Sequence, residues 1–430
     1  MKLNKIIDII TIIVMAYIFS RLFSALLTTK PILGVNLIKR ELVFYLFYLL
    51  IFIRAPRVYF TDTMKLVYLY YIIFFLMRIS GYYDIESQWF MEWHYPVFSA
   101  ILIHNYYVYS RDHRSYARVI LAALIIIAIT AIVNIYVLFR YPEVARQLFG
   151  EQSVFDTLGG PIYFVGLATY AFTSGVPFII PMLVAFYRIA RTGLRIVIVI
   201  FVAVILISVF MSALTAPILI AAFCLLFALA GRKRLGASVI VSAILLLFIA
   251  IVPTSAKSNF FYSLSDMITQ KDLSTKMRDI GYVMETGIDT SNPLSTVEGR
   301  AARMPLIIQA FARNPIFGTG REIDSHLFWP NRLAQVGLMG TIPLILILYH
   351  HMKLCLRRCD NYYRFYVIVS SLLFIIMGFI KNTSGPMFYY LLLLVPGMYY
   401  LKYLKSDDES NVSHVRNTIV DENVNARTDS

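Results

Sequence analysis

Five arginines lie in a short stretch of the sequence that contains only two acidic residues, Glu322 and Asp324. They are Arg300, Arg303, Arg313, Arg321 and Arg332. An arginine guanidinium is planar and can donate two hydrogen bonds to one phosphate group, so a cationic cluster made only of arginine is typical of an anion site. The alternative is that these arginines contact lipid headgroups.

Three further basic residues lie at the ends of apolar segments, and they are Arg21, Arg78 and Lys381. A charge within a membrane span costs at least about 2.5 kcal/mol, so each is a candidate for binding an anionic substrate. The alternative for each is that its side chain extends along the helix to reach the lipid headgroups.

Aromatic and acidic residues alternate in the segment that contains Trp89, Glu92 and Trp93. Indole rings beside a carboxylate can form a platform for a sugar ring, and Trp329 offers a further aromatic face close to the arginine cluster. The alternative is an aromatic belt at the membrane interface, where tryptophan is enriched.

The cysteines and carboxylates do not predict a metal site. Cys224 lies in an apolar run, and Cys355 and Cys359 share a short basic segment with no further cysteine nearby. The three cysteines are therefore interpreted as structural. Carboxylates with metal-ligand spacing are also missing from the sequence, so we expect neither a metal nor another cofactor.

The composition indicates what kind of protein holds these residues in place. Of the 430 residues, 59% are apolar and 15% are charged, and the mean hydropathy is +0.70. A soluble domain has about 45 to 50% apolar and about 25% charged residues, so a soluble enzyme is excluded. The net charge of +14 comes mainly from basic residues at the ends of apolar segments, so no nucleic-acid partner is expected.

Twelve apolar segments predict an all-α, polytopic membrane protein. They cover residues 6–27, 34–53, 64–80, 94–109, 117–139, 161–187, 194–211, 215–230, 236–252, 333–350, 364–380 and 386–401. Alternate connections, such as 54–65 and 111–118, are rich in Lys and Arg, whereas residues 81–93 contain neither. Because basic loops stay in the cytoplasm, both termini are predicted to be cytoplasmic.

This topology divides the chain into four regions. Residues 1–252 form a nine-helix membrane region, 253–332 a long external loop with the arginine cluster, 333–404 a three-helix membrane region, and 405–430 a polar tail. The tail is predicted to be disordered in the cytoplasm. A loop as long as 253–332 is uncommon unless it is functional or disordered.

An ordered motif runs from residue 299 to residue 340. Its elements are Gly299-Arg300, Asn314-Pro315, Gly318-Thr319-Gly320, Ser325-His326 and Gly337-Leu338-Met339-Gly340. This series, just before a late span, resembles the signature of the O-antigen polymerase and O-antigen ligase superfamily of bacterial membrane glycosyltransferases. The chain departs from that signature at Met304, where the family has an aromatic residue, at Leu327, where it has Asn, and at Ser212-Ala213-Leu214, where it has Ser-Arg-Gly.

The resemblance implies transfer of an oligosaccharide from undecaprenyl pyrophosphate at the periplasmic face of the inner membrane, without a metal. In this chemistry Arg300, supported by Arg303, would stabilise the pyrophosphate leaving group, and His326 would accept the proton of the acceptor hydroxyl. The partners that the resemblance suggests are the lipid-linked oligosaccharide, the growing polysaccharide, membrane lipids, a flippase and a chain-length regulator.

Three functions are consistent with the sequence. A polymerase joins lipid-linked repeat units into O-antigen, capsular or exopolysaccharide chains, and it is preferred because the ligase-like Ser-Arg-Gly is missing. A ligase passes the finished glycan to lipid A core or to a protein. A polysaccharide or lipid transporter would have no catalytic activity.

Overall fold

The computed structural model describes residues 2–20, 40–83, 87–140, 170–212, 214, 216–231, 254–267, 271–286, 296–321, 323, 327–383 and 385–404. Within these ranges the regular structure is helical and contains no strand, which confirms the predicted all-α class. The helices are α1 (Lys2–Phe19), α2 (Arg40–Arg54), α3 (Asp62–Ile79), α4 (Ser87–Tyr109), α5 (His113–Arg140), α6 (Tyr170–Ile189), α7 (Thr192–Met211), α8 (Ala216–Gly231), α9 (Thr254–Met267), α10 (Lys271–Thr286), α11 (Thr296–Arg313), α12 (Phe328–Arg358), α13 (Asn361–Ile380) and α14 (387–404). Short 3-10 turns occur between α2 and α3 and within α6 and α14.

Five of the described helices are long and apolar enough to cross a membrane, namely α5, α6, α7, α12 and α13. Shorter apolar helices occur at Phe44–Arg54 and in α8. These helices indicate a membrane protein, while the predicted number of twelve spans stays a prediction. Each predicted span that falls on described residues overlaps a helix, and the span predicted at 236–252 lies outside the described residues.

The region predicted as a long loop contains three helices. The side chains of α9 and α10 contact each other, since the hydroxyl of Tyr262 donates to Glu285 at 2.9 Å and Arg278 pairs with Asp266 at 3.5 Å. Helix α11 also packs against α12. Its residue Ile307 is buried in a small apolar cluster with Leu327 and with Ala334 of α12.

Spacing along α11 explains this attachment. Met304, Ile307 and Phe311 recur at intervals of three and four residues, so they lie on one face of a helix, and all three belong to the cluster on α12. Arg313 lies on the opposite face and is exposed, and Arg303, which flanks the apolar face, is exposed as well. The amphipathic pattern therefore holds the arginine-bearing helix against the start of α12.

Two ends of the helix bundle are distinguished by their contacts. We call the end with residues 80–83, 314–321 and 381–383 the loop end, and the end with residues 55–61, 110–112 and 359–360 the basic end. Helices α3 and α12 run antiparallel between the two ends. Tyr83 after α3 contacts Val336 near the start of α12, and Thr63 at the start of α3 contacts His350 near the end of α12.

Candidate functional site

Helix α12 is interrupted at the loop end. Gly337 has φ 62° and ψ −167°, which no helical residue adopts, so the backbone unwinds for one residue and then continues as a helix. An interruption of this kind removes helical hydrogen bonds, and buried backbone groups need replacement partners. The segment after α11 supplies them.

Four backbone hydrogen bonds join residues 315–320 to the interruption. The amides of Thr319 and Gly320 donate to the carbonyls of Ala334 and Gln335, each at 2.9 Å. In the other direction, the amides of Leu338 and Met339 donate to the carbonyls of Pro315 and Ile316, also at 2.9 Å. The loop is thereby attached to α12 on both sides of Gly337.

The glycines of the motif are required by this attachment. Gly318 and Gly337 both have positive φ, at 75° and 62°, and their backbones touch. A Cβ on Gly318 would overlap the carbonyl of Gln335, and a Cβ on Gly337 would overlap the amide nitrogen of Gly318. Gly320, at φ 69°, contacts the carbonyl of Tyr82 in the same way. Glycine is therefore the residue that fits at each of these positions.

Two tyrosines that follow α3 attach a third segment to the same place. The hydroxyl of Tyr82 donates to the carbonyl of Gly318 at 2.9 Å and accepts from the Asn314 amide at 2.5 Å. The hydroxyl of Tyr83 lies 3.2 Å from the carbonyl of Phe317 and 3.1 Å from that of Val336. Sequence reasoning did not identify these tyrosines, because their partners lie more than two hundred residues away in the chain.

Arg332 lies one helical turn before the interruption, and only 4% of its surface is exposed. Its Nη1 donates to Oε1 of Gln335 at 2.7 Å, and its guanidinium carbon lies 5.4 Å from the centre of the Phe328 ring. Gln335 is itself buried, and its carbonyl accepts the amide of Gly320. The loop, the interruption and the buried arginine thus form one connected unit, which is the candidate functional site.

The remaining predicted arginines are placed differently. Arg303 and Arg313 on α11 and Arg321 after the Gly-Thr-Gly segment are all exposed to solvent. Arg300 also lies on α11, but its side chain lies outside the described residues, as does all of His326. The structure therefore brings Arg332 together with the glycine motif and leaves the predicted contacts of Arg300 and His326 as predictions.

Trp329 is packed between helices. It is 8% exposed, its Nε1 donates to the carbonyl of Ile375 at 2.9 Å, and its ring contacts Gly378 on α13. This placement gives Trp329 a packing role, which differs from the predicted contact with a sugar ring.

The other predicted binding residues lie around the loop end or outside the description. Arg78 is exposed in the last turn of α3. Lys381 follows α13, and its Nζ lies 4.6 Å from the centre of the Tyr170 ring. Arg21 lies outside the described residues, and Trp89, Glu92 and Trp93 lie on α4 with side chains outside them. The sugar platform predicted for the last three stays a prediction.

The arrangement is suited to binding an anion. A buried guanidinium held in a fixed position can donate several hydrogen bonds to phosphate oxygens, and burial strengthens that interaction because little water screens the charge. Backbone atoms supply the fixed position. The chemistry of the site rests on its own residues. No protein-family model and no curated protein matches the chain.

Proposed function

We propose that the chain is a membrane glycosyltransferase that polymerises undecaprenyl-pyrophosphate-linked repeat units at the periplasmic face of the inner membrane. The observation that carries the proposal is the convergence of the motif elements Asn314-Pro315, Gly318-Thr319-Gly320 and Gly337 around buried Arg332. These elements carry the resemblance to the polymerase and ligase superfamily, and they meet where an anionic group can be bound.

The proposed reaction divides the work between three residues. The acceptor hydroxyl oxygen attacks the anomeric carbon of the donor, and the bond from that carbon to the pyrophosphate oxygen breaks. The hydroxyl proton passes to His326, whose unperturbed pKa of about 6.5 suits proton uptake at neutral pH. Arg300 and Arg332 bind the carrier pyrophosphate, on which negative charge develops as it leaves.

Purified protein and a synthetic repeat unit on its lipid carrier test the proposal directly. A polymerase gives a ladder of products and releases one carrier pyrophosphate for each bond formed. Arg300→Ala should abolish the ladder, and Arg300→Lys should restore it poorly, because an ammonium group lacks the planar fork. Arg278→Ala on α10 is the matched control, since Arg278 is an exposed arginine of the same region whose partner is Asp266. A normal ladder from Arg300→Ala at normal expression would remove Arg300 from the site.

His326 is tested by two substitutions that differ in proton affinity. His326→Ala should lower turnover about 10²-fold or more at saturating substrate, the usual contribution of a general base. His326→Gln should not restore turnover, because an amide can form hydrogen bonds but cannot take up the proton. Turnover at the wild-type rate in the Gln variant would assign the proton to another group or to water.

The orientation of the chain is tested by labelling in intact cells with an impermeant thiol reagent. Glu285→Cys should react and Lys233→Cys should not, since residue 285 is predicted to be outside and residue 233 inside. Background labelling should be low because Cys224, Cys355 and Cys359 are all buried. The opposite pattern would invert the topology and place the loop end in the cytoplasm.

The interruption of α12 also favours a second candidate function. Discontinuous helices bind substrates and ions in many transporters, so Gly337 is compatible with a polysaccharide or lipid transporter. Release of carrier pyrophosphate separates the two, because a transporter leaves the donor intact. A ligase also releases the carrier, but it needs lipid A core or a protein as acceptor and gives no ladder with repeat units alone.

A further inference from the structure

A second group of polar side chains is buried towards the basic end, on the opposite side of the bundle from Arg332. It consists of His104 on α4 and His351 and Cys355 on α12, all of which are buried. His351 and Cys355 are four residues apart and therefore lie on one face of α12. One potential ligand atom from each of the three residues lies within 4.8 Å of the others.

The distances in this group match those of a metal site. The Sγ of Cys355 lies 3.5 Å from Nε2 of His104 and 3.6 Å from Nε2 of His351. Zinc bonds of about 2.0 to 2.1 Å to nitrogen and about 2.3 Å to sulfur, arranged as a tetrahedron, place neighbouring nitrogen and sulfur ligands about 3.6 Å apart. The three side chains can therefore surround one ion with little movement.

The hydrogen bonds around His104 leave the lone pair of its Nε2 directed at the Cys355 thiol. Its Nδ1 lies 2.9 Å from the Tyr116 hydroxyl, and that hydroxyl lies 3.3 Å from the carbonyl of Leu393. Because a carbonyl can only accept, the Tyr116 hydroxyl donates to Leu393 and accepts from His104 Nδ1. The proton of His104 is then on Nδ1, and Nε2 faces Cys355 as an acceptor. A metal-binding histidine usually has such an outer partner, which fixes its tautomer and orientation.

His351 donates a hydrogen bond from the same nitrogen that faces Cys355. Its Nε2 lies 2.8 Å from the carbonyl of Leu392, and because a carbonyl can only accept, Nε2 carries the proton of that hydrogen bond. In that tautomer Nδ1 is an acceptor, and within the described part of the chain this buried atom has no hydrogen-bond partner. Zinc binding at Nε2 moves this proton to Nδ1 and replaces the hydrogen bond to Leu392.

We propose that His104, His351 and Cys355 bind Zn²⁺. Two imidazoles and one thiolate form a ligand set that suits this ion, whereas Mg²⁺ and Ca²⁺ require oxygen ligands. Binding converts the thiol of Cys355 to a thiolate, and its proton is released to solvent. The fourth position is filled by water. The ion joins α4 to α12 directly, and through Tyr116 and Leu393 it also stabilises α5 and α14.

This site goes beyond the proposed glycosyl transfer. The motif glycines and Arg332 lie at the loop end, whereas His104, His351 and Cys355 lie towards the basic end. A zinc ion here joins two helices away from the loop end, so its loss lowers the stability of the bundle and leaves the chemistry at the loop end to its own residues. The two proposals can therefore fail separately.

The zinc content of the intact chain, purified in detergent without chelator and measured by mass spectrometry, tests the proposal. Wild-type protein should contain about one zinc per chain. Cys355→Ser and His104→Gln should lose it. Cys359→Ser and His350→Gln are matched controls that should retain it, because Cys359 is another buried cysteine one turn away and His350 contacts Thr63 instead.

Two further measurements separate a metal site from a cluster of buried hydrogen bonds. Replacing zinc by Co²⁺ should give the near-ultraviolet charge-transfer band of a cobalt thiolate, which requires no variant to fold. Tyr116→Phe should weaken metal affinity about 10- to 100-fold, as loss of an outer partner does. The proposal is overturned if wild-type protein neither contains nor takes up Zn²⁺ or Co²⁺, if the band is missing, or if folded Cys355→Ser retains the wild-type zinc content.

Discussion

At the loop end, backbone groups hold the site together, whereas at the basic end side chains from several helices hold one another. The unit around Arg332 depends on hydrogen bonds between residues 315–320 and 334–339 and on glycines with positive φ. The group around His104 depends on Tyr116, His351 and Cys355. Backbone attachment fixes the position of the loop irrespective of most side chains, and buried Arg332 lies beside it, bonded to Gln335.

This difference predicts which substitutions each end tolerates. At the loop end a single added methyl group separates the segments, because their backbones are already in contact. At the basic end the helices contact through side chains, so polar substitutions alter binding chemistry with smaller effects on the backbone.

Gly318→Ala should lower the free energy of unfolding by about 2 to 5 kcal/mol. A left-handed conformation costs a residue with a Cβ about 1 to 2 kcal/mol. Overlap of that Cβ with the Gln335 carbonyl adds about 1 to 3 kcal/mol for overpacking. Thermal unfolding in detergent measures the change.

Gly81→Ala is the control for that experiment. Gly81 has φ 72°, close to that of Gly318, but a Cβ there would meet no atom within 4 Å. Gly81→Ala should therefore lower the free energy of unfolding only by the cost of the left-handed conformation, about 1 to 2 kcal/mol. Equal losses at the two positions would mean that strain alone matters and that the contact between the loop and α12 contributes little.

Arg332→Met should lower turnover about 10²-fold or more, which is the usual loss when a positioned donor to a developing negative charge is removed. The same substitution should lower the free energy of unfolding by only about 1 to 3 kcal/mol, because it leaves Oε1 of buried Gln335 without its donor. Arg278→Met on α10 should alter neither property. Full turnover with a large fall in unfolding temperature would make Arg332 a structural residue.

The sequence predicted those parts of the molecule that depend on local pattern. Long apolar runs predicted helices, and the order of Gly318, Gly320 and Gly337 identified a segment that the structure shows to be closely joined. Glycine in a compact turn is a local signal, since no other residue fits a left-handed backbone in close contact. The interruption of α12 was not predicted, because Gly337 lies within an apolar run that continues on both sides.

Parts that depend on distant residues could not be predicted. His104 and Cys355 are 251 positions apart, and no pattern around either indicates the other. The burial of Arg332 was equally hidden, because the sequence gives five arginines in one stretch without showing which of them enters the bundle. Trp329 was interpreted from its residue type, and its bond to Ile375 depends on the packing of α12 against α13.

Tyr83→Phe should lower the free energy of unfolding by about 1 kcal/mol, the usual net contribution of a hydrogen bond. Its hydroxyl lies near the carbonyls of both Phe317 and Val336, so the bond joins the loop to α12. Denaturation midpoints of the variant and of Tyr136→Phe on α5, an exposed tyrosine, provide the comparison. Equal midpoints for both variants and the wild type would mean that the backbone bonds hold the loop without the tyrosine.

The smallest effect is expected at Asp360, in the turn between α12 and α13. Lys402 donates to its carboxylate at 2.8 Å, and this hydrogen bond lowers the pKa of Asp360 below its ordinary value of 3.8. A lowered folded-state pKa stabilises the protein above the unfolded pKa, and that stabilisation is lost as the pH falls through the folded pKa.

Because the Asp360 side chain is 59% exposed, water screens the pair and its contribution is at most about 1 kcal/mol. Asp360→Asn should therefore lower the unfolding temperature slightly at neutral pH, and the difference from wild type should shrink as the pH falls below about 4 and through the folded-state pKa. Lys65→Met, which removes an exposed pair with Asp62 three residues away, gives the reference for a pair within one helix. If the difference between Asp360→Asn and wild type stays the same from neutral to acidic pH, the carboxylate charge contributes nothing. The turn would then depend on the hydrogen bond that the Tyr399 hydroxyl donates to Asp360, which an amide oxygen can also accept.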